Sequence, residues 1–110
     1  MQAQTERAAR TNRIAEAVRR GQLDMLTLWA AVRGYAAKKA RRWAAALHHR
    51  CGVEFDDLMQ EAYLAMLRAV ELWRPDGGAG FIGMFDFALR SAFADACSIR
   101  TVHGRNDPLQ

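Results

Sequence analysis

Three stretches of the chain repeat their apolar residues every three or four positions, and no stretch alternates them every two. This periodicity argues against a sheet and for packed helices. The longest stretch sets Leu28, Trp29, Val32, Tyr35, Ala36, Ala40, Trp43 and Leu47 on one stripe. It predicts a helix from about Gln22 to His49, roughly 40 Å long. A second predicted helix opens at Asp57 and closes near Trp73, with Leu58, Ala65, Ala69 and Leu72 placed for a core. A third sets Phe81, Phe85, Leu89 and Phe93 along one face and runs to about Ser98. Ahead of these, residues 4–20 offer a thinner stripe of Ala8, Ile14, Ala15 and Val18, with Thr5 as N-cap and Gly21 as terminator. The expected architecture is all-α, a compact bundle of about four helices.

The 110 residues suit one domain. It divides into a loosely held N-terminal helix over 1–21, a helical body over 22–98, and a linker or tail over 99–110. The tail carries Gly104, Asn106, Asp107 and Pro108. A formal charge of +4 suits an anionic partner. The polar N-terminus lacks the apolar core of a signal peptide, and no apolar run reaches membrane-spanning length, so no membrane partner is expected. Cys51 and Cys97 show neither metal-type spacing nor a disulfide framework, which predicts a reduced, cytoplasmic protein.

The surfaces are more informative. Asp57, Gln60, Glu61, Leu64, Arg68 and Glu71 share one helix face, and the leucine in its middle is what a docking face needs and a solvated one does not. Asp57 with Gln60 also reads as a capping box, and spacing alone leaves both readings open. Arg74-Pro75-Asp76-Gly77-Gly78-Ala79-Gly80 is a turn by chemistry. It is no P-loop, because no Gly-Lys-Ser/Thr follows and no strand precedes. Lys38, Lys39, Arg41, Arg42 and Arg50 lie on or near the outer side of the long helix, either simply solvated or holding phosphates. Phe87 falls off the Phe81 stripe, beside Arg90, in the form of a platform for an unstacked base.

Other chemistry is not supported. His48, His49 and Cys51 suggest a metal, but adjacent histidines diverge by roughly 100° on a helix and no fourth ligand is near. The acid pairs Asp56/Asp57 and Glu54/Glu61 lack a histidine or nucleophile in reach, and paired acids at a helix start usually cap it. No enzyme, cofactor or metal is expected.

The string D-D-L-M-Q-E-A-Y-L-A-M-L-R-A-V-E-L-W, followed by R-P-D-G-G and F-I-G-M-F-D-F-A-L-R, resembles the second region of bacterial RNA polymerase sigma factors. The likeness extends over about residues 28–98. It implies a module that binds core RNA polymerase and recognises and melts the minus-ten promoter element, contacting the non-template single strand. By resemblance, Asp56, Asp57, Gln60, Glu61, Tyr63 and Leu64 would meet the polymerase. Lys39, Arg42, Arg74, Phe81, Met84, Phe87, Arg90 and Ser91 would face DNA. An anti-sigma protein is a further partner the family admits. Where housekeeping sigma factors carry a second aromatic, this chain has Ala88, and Ser91 and Ala94 take promoter-reading positions. An alternative-type sigma factor is the better fit. A helix-turn-helix domain normally follows, so the chain reads either as an excised domain or as a protein keeping only this module. The alternative function is a sigma-like regulator that binds polymerase or a partner without reading DNA.

Overall fold

A computed structural model describes residues 2–105, with side chains over 6–47 and 51–98. Four helices account for the regular structure of these residues, and they contain no strand. Helix α1 spans Gln2–Arg19. It ends as glycine permits: Gly21 takes φ +77°, its N–H donates to the Val18 carbonyl at 3.0 Å, and the Gln22 N–H donates to Ala17 at 2.8 Å. These two bonds make a Schellman closure, which satisfies carbonyls the helix would leave open. The helix starts ahead of Thr5, because Gln2, Ala3 and Gln4 favour helix, so Thr5 is not its N-cap. The Thr5 side chain lies outside the described residues.

Helix α2 spans Met25–Cys51. It begins three residues later than the apolar pattern predicts, because Asp24 caps it: the Thr27 N–H donates to the Asp24 carboxylate at 3.2 Å. Gly52, with φ +65°, terminates it. Leu28, Val32, Ala36 and Ala40 are fully buried along one row. The two alanines keep that row low, so neighbouring helices approach the α2 backbone closely.

Helix α3 (Phe55–Leu72) and helix α4 (Phe81–Arg105) pack on α2 and on each other. The Phe81 stripe is core, as its period predicts: Phe81, Phe85, Leu89 and Phe93 are fully buried. Phe81 stacks on Phe85 at 6.1 Å between ring centroids, and Trp73 meets Phe81 edge-on at 5.6 Å. Trp43 meets Phe93 the same way, also at 5.6 Å. Each such burial is worth about 1.5–3 kcal/mol. On α3 the core row is Leu58, Ala62, Ala65, Met66, Ala69 and Val70. Leu72, expected in the core, is 48% exposed. Trp73, the C-cap residue, takes the last buried position instead.

Between α3 and α4 the turn is tied on both sides. The Trp73 Nε1–H donates to the Ala79 carbonyl at 2.9 Å, and Gly78 holds φ +87°. Helix α1 closes over this turn. The Asn12 carboxamide oxygen accepts from the Phe81 N–H at 2.8 Å, satisfying a donor that the start of α4 leaves open. The Arg19 guanidinium donates to the Trp73 carbonyl.

Two expectations for the chain's later part need correction. Helix α4 continues past Ser98 to Arg105, since no glycine or proline interrupts residues 99–103. Residues 99–105 are therefore helical backbone, and the rest of the expected tail, 106–110, lies outside the described residues. The cysteines are also paired: Cys51 and Cys97 form a disulfide with their Cα atoms 5.5 Å apart. They are 46 residues apart in sequence, and only the packing of the end of α2 on α4 brings them within bonding reach.

Candidate functional site

The outer face of α3 begins with its cap. Glu54 is the N-cap and Asp57 the third helical residue of a capping box. The Asp57 carboxylate accepts from the Glu54 N–H at 3.1 Å. The box therefore starts three residues earlier than the Asp57/Gln60 pairing, and part of Asp57's hydrogen-bonding capacity goes to starting the helix. Gln60 and Asp56 are exposed, and Glu61 is half-buried. Leu64 stands 57% exposed in their midst. Tyr63 turns toward α2, where its ring meets Trp29 edge-on at 5.4 Å.

Beside this face runs a groove of about 290 Å³ between α3 and α4. Glu61, Leu64 and Arg68 form one wall; Phe87, Ser91 and Asp95 form the other. Phe87 is 61% exposed, and Leu72 lies at the groove's end. Exposed apolar surface bordered by charges is the composition of an interaction site. Sequence reasoning assigned Phe87 and Ser91 to DNA and Glu61 and Leu64 to the polymerase. The structure puts all four around one groove.

A second cluster lies where α2 crosses α4. The Tyr35 hydroxyl donates to Asp86 Oδ1 at 2.7 Å. The Lys39 ammonium lies 3.4 Å from the same oxygen, and Arg90 Nε lies 3.1 Å from Oδ2. Lys39 also sits over the Tyr35 ring, 5.5 Å from its centroid. Burial pushes the Tyr35 hydroxyl up to about 12, and its bond to the Asp86 carboxylate adds to that shift. For Asp86, burial favours the neutral acid. The Tyr35 hydrogen bond and the Lys39 and Arg90 charges together outweigh it and hold the carboxyl below its usual range. Sequence reasoning named Lys39 and Arg90 and missed Asp86 and Tyr35. One signal was available: Asp86 is the sole acid among the first ten residues of α4 and stands four residues before Arg90.

The remaining expected DNA residues do not converge. Phe81 is fully buried between Trp73 and Phe85, so it has no face on which a base could stack and belongs to the core. Met84 is half-buried against that core. Arg42 is exposed on α2, one turn beyond Lys39. Arg74 lines a different cleft, with Arg19, Arg20, Glu16 and Asp76 at the end of α1. There Arg20 pairs with Glu16 at 2.7 Å. Among the described residues no cluster of three or more metal-ligating side chains occurs. The side chains of His48 and His49 lie outside them. No described helix is long and apolar enough to cross a membrane.

A family model described as Sigma-70 region 2 matches residues 28–83, just over half of the chain. The match takes in α2 from Leu28, all of α3, the glycine turn and the first residues of α4. It contains every residue of the α3 face and stops short of Phe87, Arg90 and Ser91. No curated protein and no solved structure matches the chain.

Proposed function

The chain belongs to the sigma-70 region 2 family, and on that premise we propose that it is a transcription-initiation module which binds core RNA polymerase and engages the minus-ten promoter DNA. The observation that carries this reading is Leu64, 57% exposed at the centre of a face otherwise built from Asp56, Gln60, Glu61 and Arg68. A leucine held in water by a rigid helix has its apolar surface available to a partner, and the surrounding charges steer and orient that partner. Asp57 anchors the start of the same helix, and Tyr63 braces it against α2.

On the DNA side, Phe87 supplies the stacking surface, worth ~1–3 kcal/mol for a base laid on it. Ser91 lies one turn further along α4, with a single hydroxyl for a base edge or a phosphate. Lys39, Arg42 and Arg90 supply phosphate contacts, which give affinity without sequence. Arg74 stands apart from these three, in the cleft at the end of α1. No bond is made or broken, so the module works by binding alone, in the bacterial cytoplasm where the polymerase acts.

A second reading draws on a separate observation. Phe81 and Ala88 are buried, which leaves Phe87 as the one exposed ring of α4 among the described residues, and that ring borders the same groove as Glu61 and Leu64. A regulator that binds polymerase or an anti-sigma-like partner without reading DNA would use the groove as one continuous protein interface.

A pull-down with purified core RNA polymerase tests the first step, comparing the wild type with Gln60→Ala/Glu61→Ala. Binding by the wild type and its loss in the double variant, with helical content unchanged, is the expected result. Equal binding by both removes the α3 face from the mechanism. The two readings separate in the polymerase complex, by photocrosslinking to a bubble template carrying a minus-ten element. A crosslink lost in Phe87→Ala supports DNA engagement, and its absence from the wild-type complex supports the regulator.

A further inference from the structure

We propose that Cys51 and Cys97 form a reversible thiol–disulfide modification site that fastens α4 to the end of α2. The inference stands apart from whether the α3 face binds polymerase.

Three observations carry it. The two Cα atoms are 5.5 Å apart, inside the range a disulfide requires. Both residues are half-buried, outside the fully buried core. The reduced state is also accommodated: Cys51 Sγ lies 3.4 Å from the Leu47 carbonyl, one turn back on α2. With the disulfide open, the Cys51 S–H donates to that oxygen, so reduction leaves no stranded polar group at this sulfur. On reduction the two sulfurs move apart to non-bonded distance, and Cys51 has the Leu47 carbonyl as a partner when they do.

What the bond joins gives it consequence. It closes a loop that contains the whole of α3 and the glycine turn, and it pins α4 two turns beyond Ser91. Four residues before Cys97 on α4 and eight before Cys51 on α2, Phe93 and Trp43 meet edge-on, a non-covalent contact between the same two helices. Reduction therefore loosens the far end of α4 without dismantling the bundle.

The chemistry is exchange with a low-molecular-weight disulfide such as oxidised glutathione. One cysteine thiolate attacks it, forming a mixed disulfide and expelling one glutathione thiolate. The second cysteine thiolate attacks the protein sulfur of that mixed disulfide and expels the other. The two protein thiols lose two electrons, one glutathione disulfide gains them, and the two protons end on two glutathione thiols. Excess reduced glutathione runs the sequence backwards.

The test equilibrates the full chain in glutathione buffers of graded oxidised-to-reduced ratio, traps thiols with a maleimide, and counts labels by mass spectrometry. The expected result is a passage from two labels to none as the ratio rises, reversed on returning the sample to reduced glutathione. The oxidised form melts on the order of 10 °C above the reduced form, since the bond constrains a long loop in the unfolded chain. Cys51→Ser and Cys97→Ser should each melt near the reduced wild type and, as the ratio rises, stop at a mixed disulfide with glutathione, seen as added mass that the oxidised wild type lacks. Two labels at every ratio would overturn the proposal. So would disulfide formation only between molecules, or oxidised and reduced forms of equal stability. The labelling of the wild type needs no variant, so a serine variant that fails to fold leaves the decision intact.

Discussion

Asp57 is where the cap and the proposed docking face overlap, and unfolding its variants measures what it contributes to the helix. Its carboxylate accepts from the Glu54 N–H at 3.1 Å and closes the capping box of α3. Asp57→Ala removes that acceptor together with a negative charge in the first turn. Loss of that one hydrogen bond costs about 1 kcal/mol, within a range of roughly 0.5–1.5. Loss of the charge beside the positive end of the helix adds about 0.3–1 kcal/mol. Asp57→Asn keeps an acceptor oxygen and forfeits the charge alone, so it should lose only the smaller amount. Gln60→Ala, on an exposed position of the same face, should stay within about 0.5 kcal/mol of the wild type, since alanine favours helix. Urea unfolding at neutral pH, followed by circular dichroism, reads all three, provided the slope with denaturant stays constant. The expected order of midpoints is wild type and Gln60→Ala together, then Asp57→Asn, then Asp57→Ala. If Asp57→Ala matched Gln60→Ala, the reciprocal bond would contribute nothing and the start of α3 would need another explanation. The order also guides the binding experiment: Gln60 and Glu61 probe docking, whereas Asp57 mixes docking with helix stability.

Two further outcomes separate core from surface and define the pH response. Phe81→Ala should destabilise the fold by about 3–5 kcal/mol in the same titration, whereas Phe87→Ala should change stability little and act only in the DNA crosslink. Equal stability losses would show that Phe87 is packed rather than presented. The Asp86 carboxyl is depressed in the folded chain, so its stabilisation is complete above the ordinary carboxylate range and is lost as pH falls through its folded value. Tyr35 is raised, so its contribution is complete below 10.0 and is lost as pH rises toward about 12. Asp86→Asn should therefore flatten the acid limb of the melting temperature against pH, and an acid limb unchanged from wild type would exclude Asp86 from it.

Much of the candidate site was legible as a list of residues and little of it as an arrangement. The α3 face follows from spacing on one helix, so Gln60, Glu61, Leu64 and Arg68 could be grouped before any packing was known. The residues proposed for DNA could not, because they come from α2, α4 and the turn. Lys39 and Arg90 meet only through Asp86, a cross-helix contact that no local period announces. Phe81 was named both for the core stripe and for DNA, and its burial decides for the core. At that position Phe81 meets Trp73, just past the end of α3, and its N–H donates to Asn12 of α1.

Local chemistry thus determined which segments are helical, where glycine ends them, and which stripe of each is apolar, because helix period and capping act over a few residues. Tertiary structure decided the rotation of each helix against its neighbours. It exposed Leu72 and buried Trp73, set Phe87 opposite Leu64, gathered Tyr35, Lys39 and Arg90 around one carboxylate, and brought Cys51 to Cys97. Each of these depends on side chains far apart in the chain competing for the same interior, and that competition is resolved only when all four helices are in place.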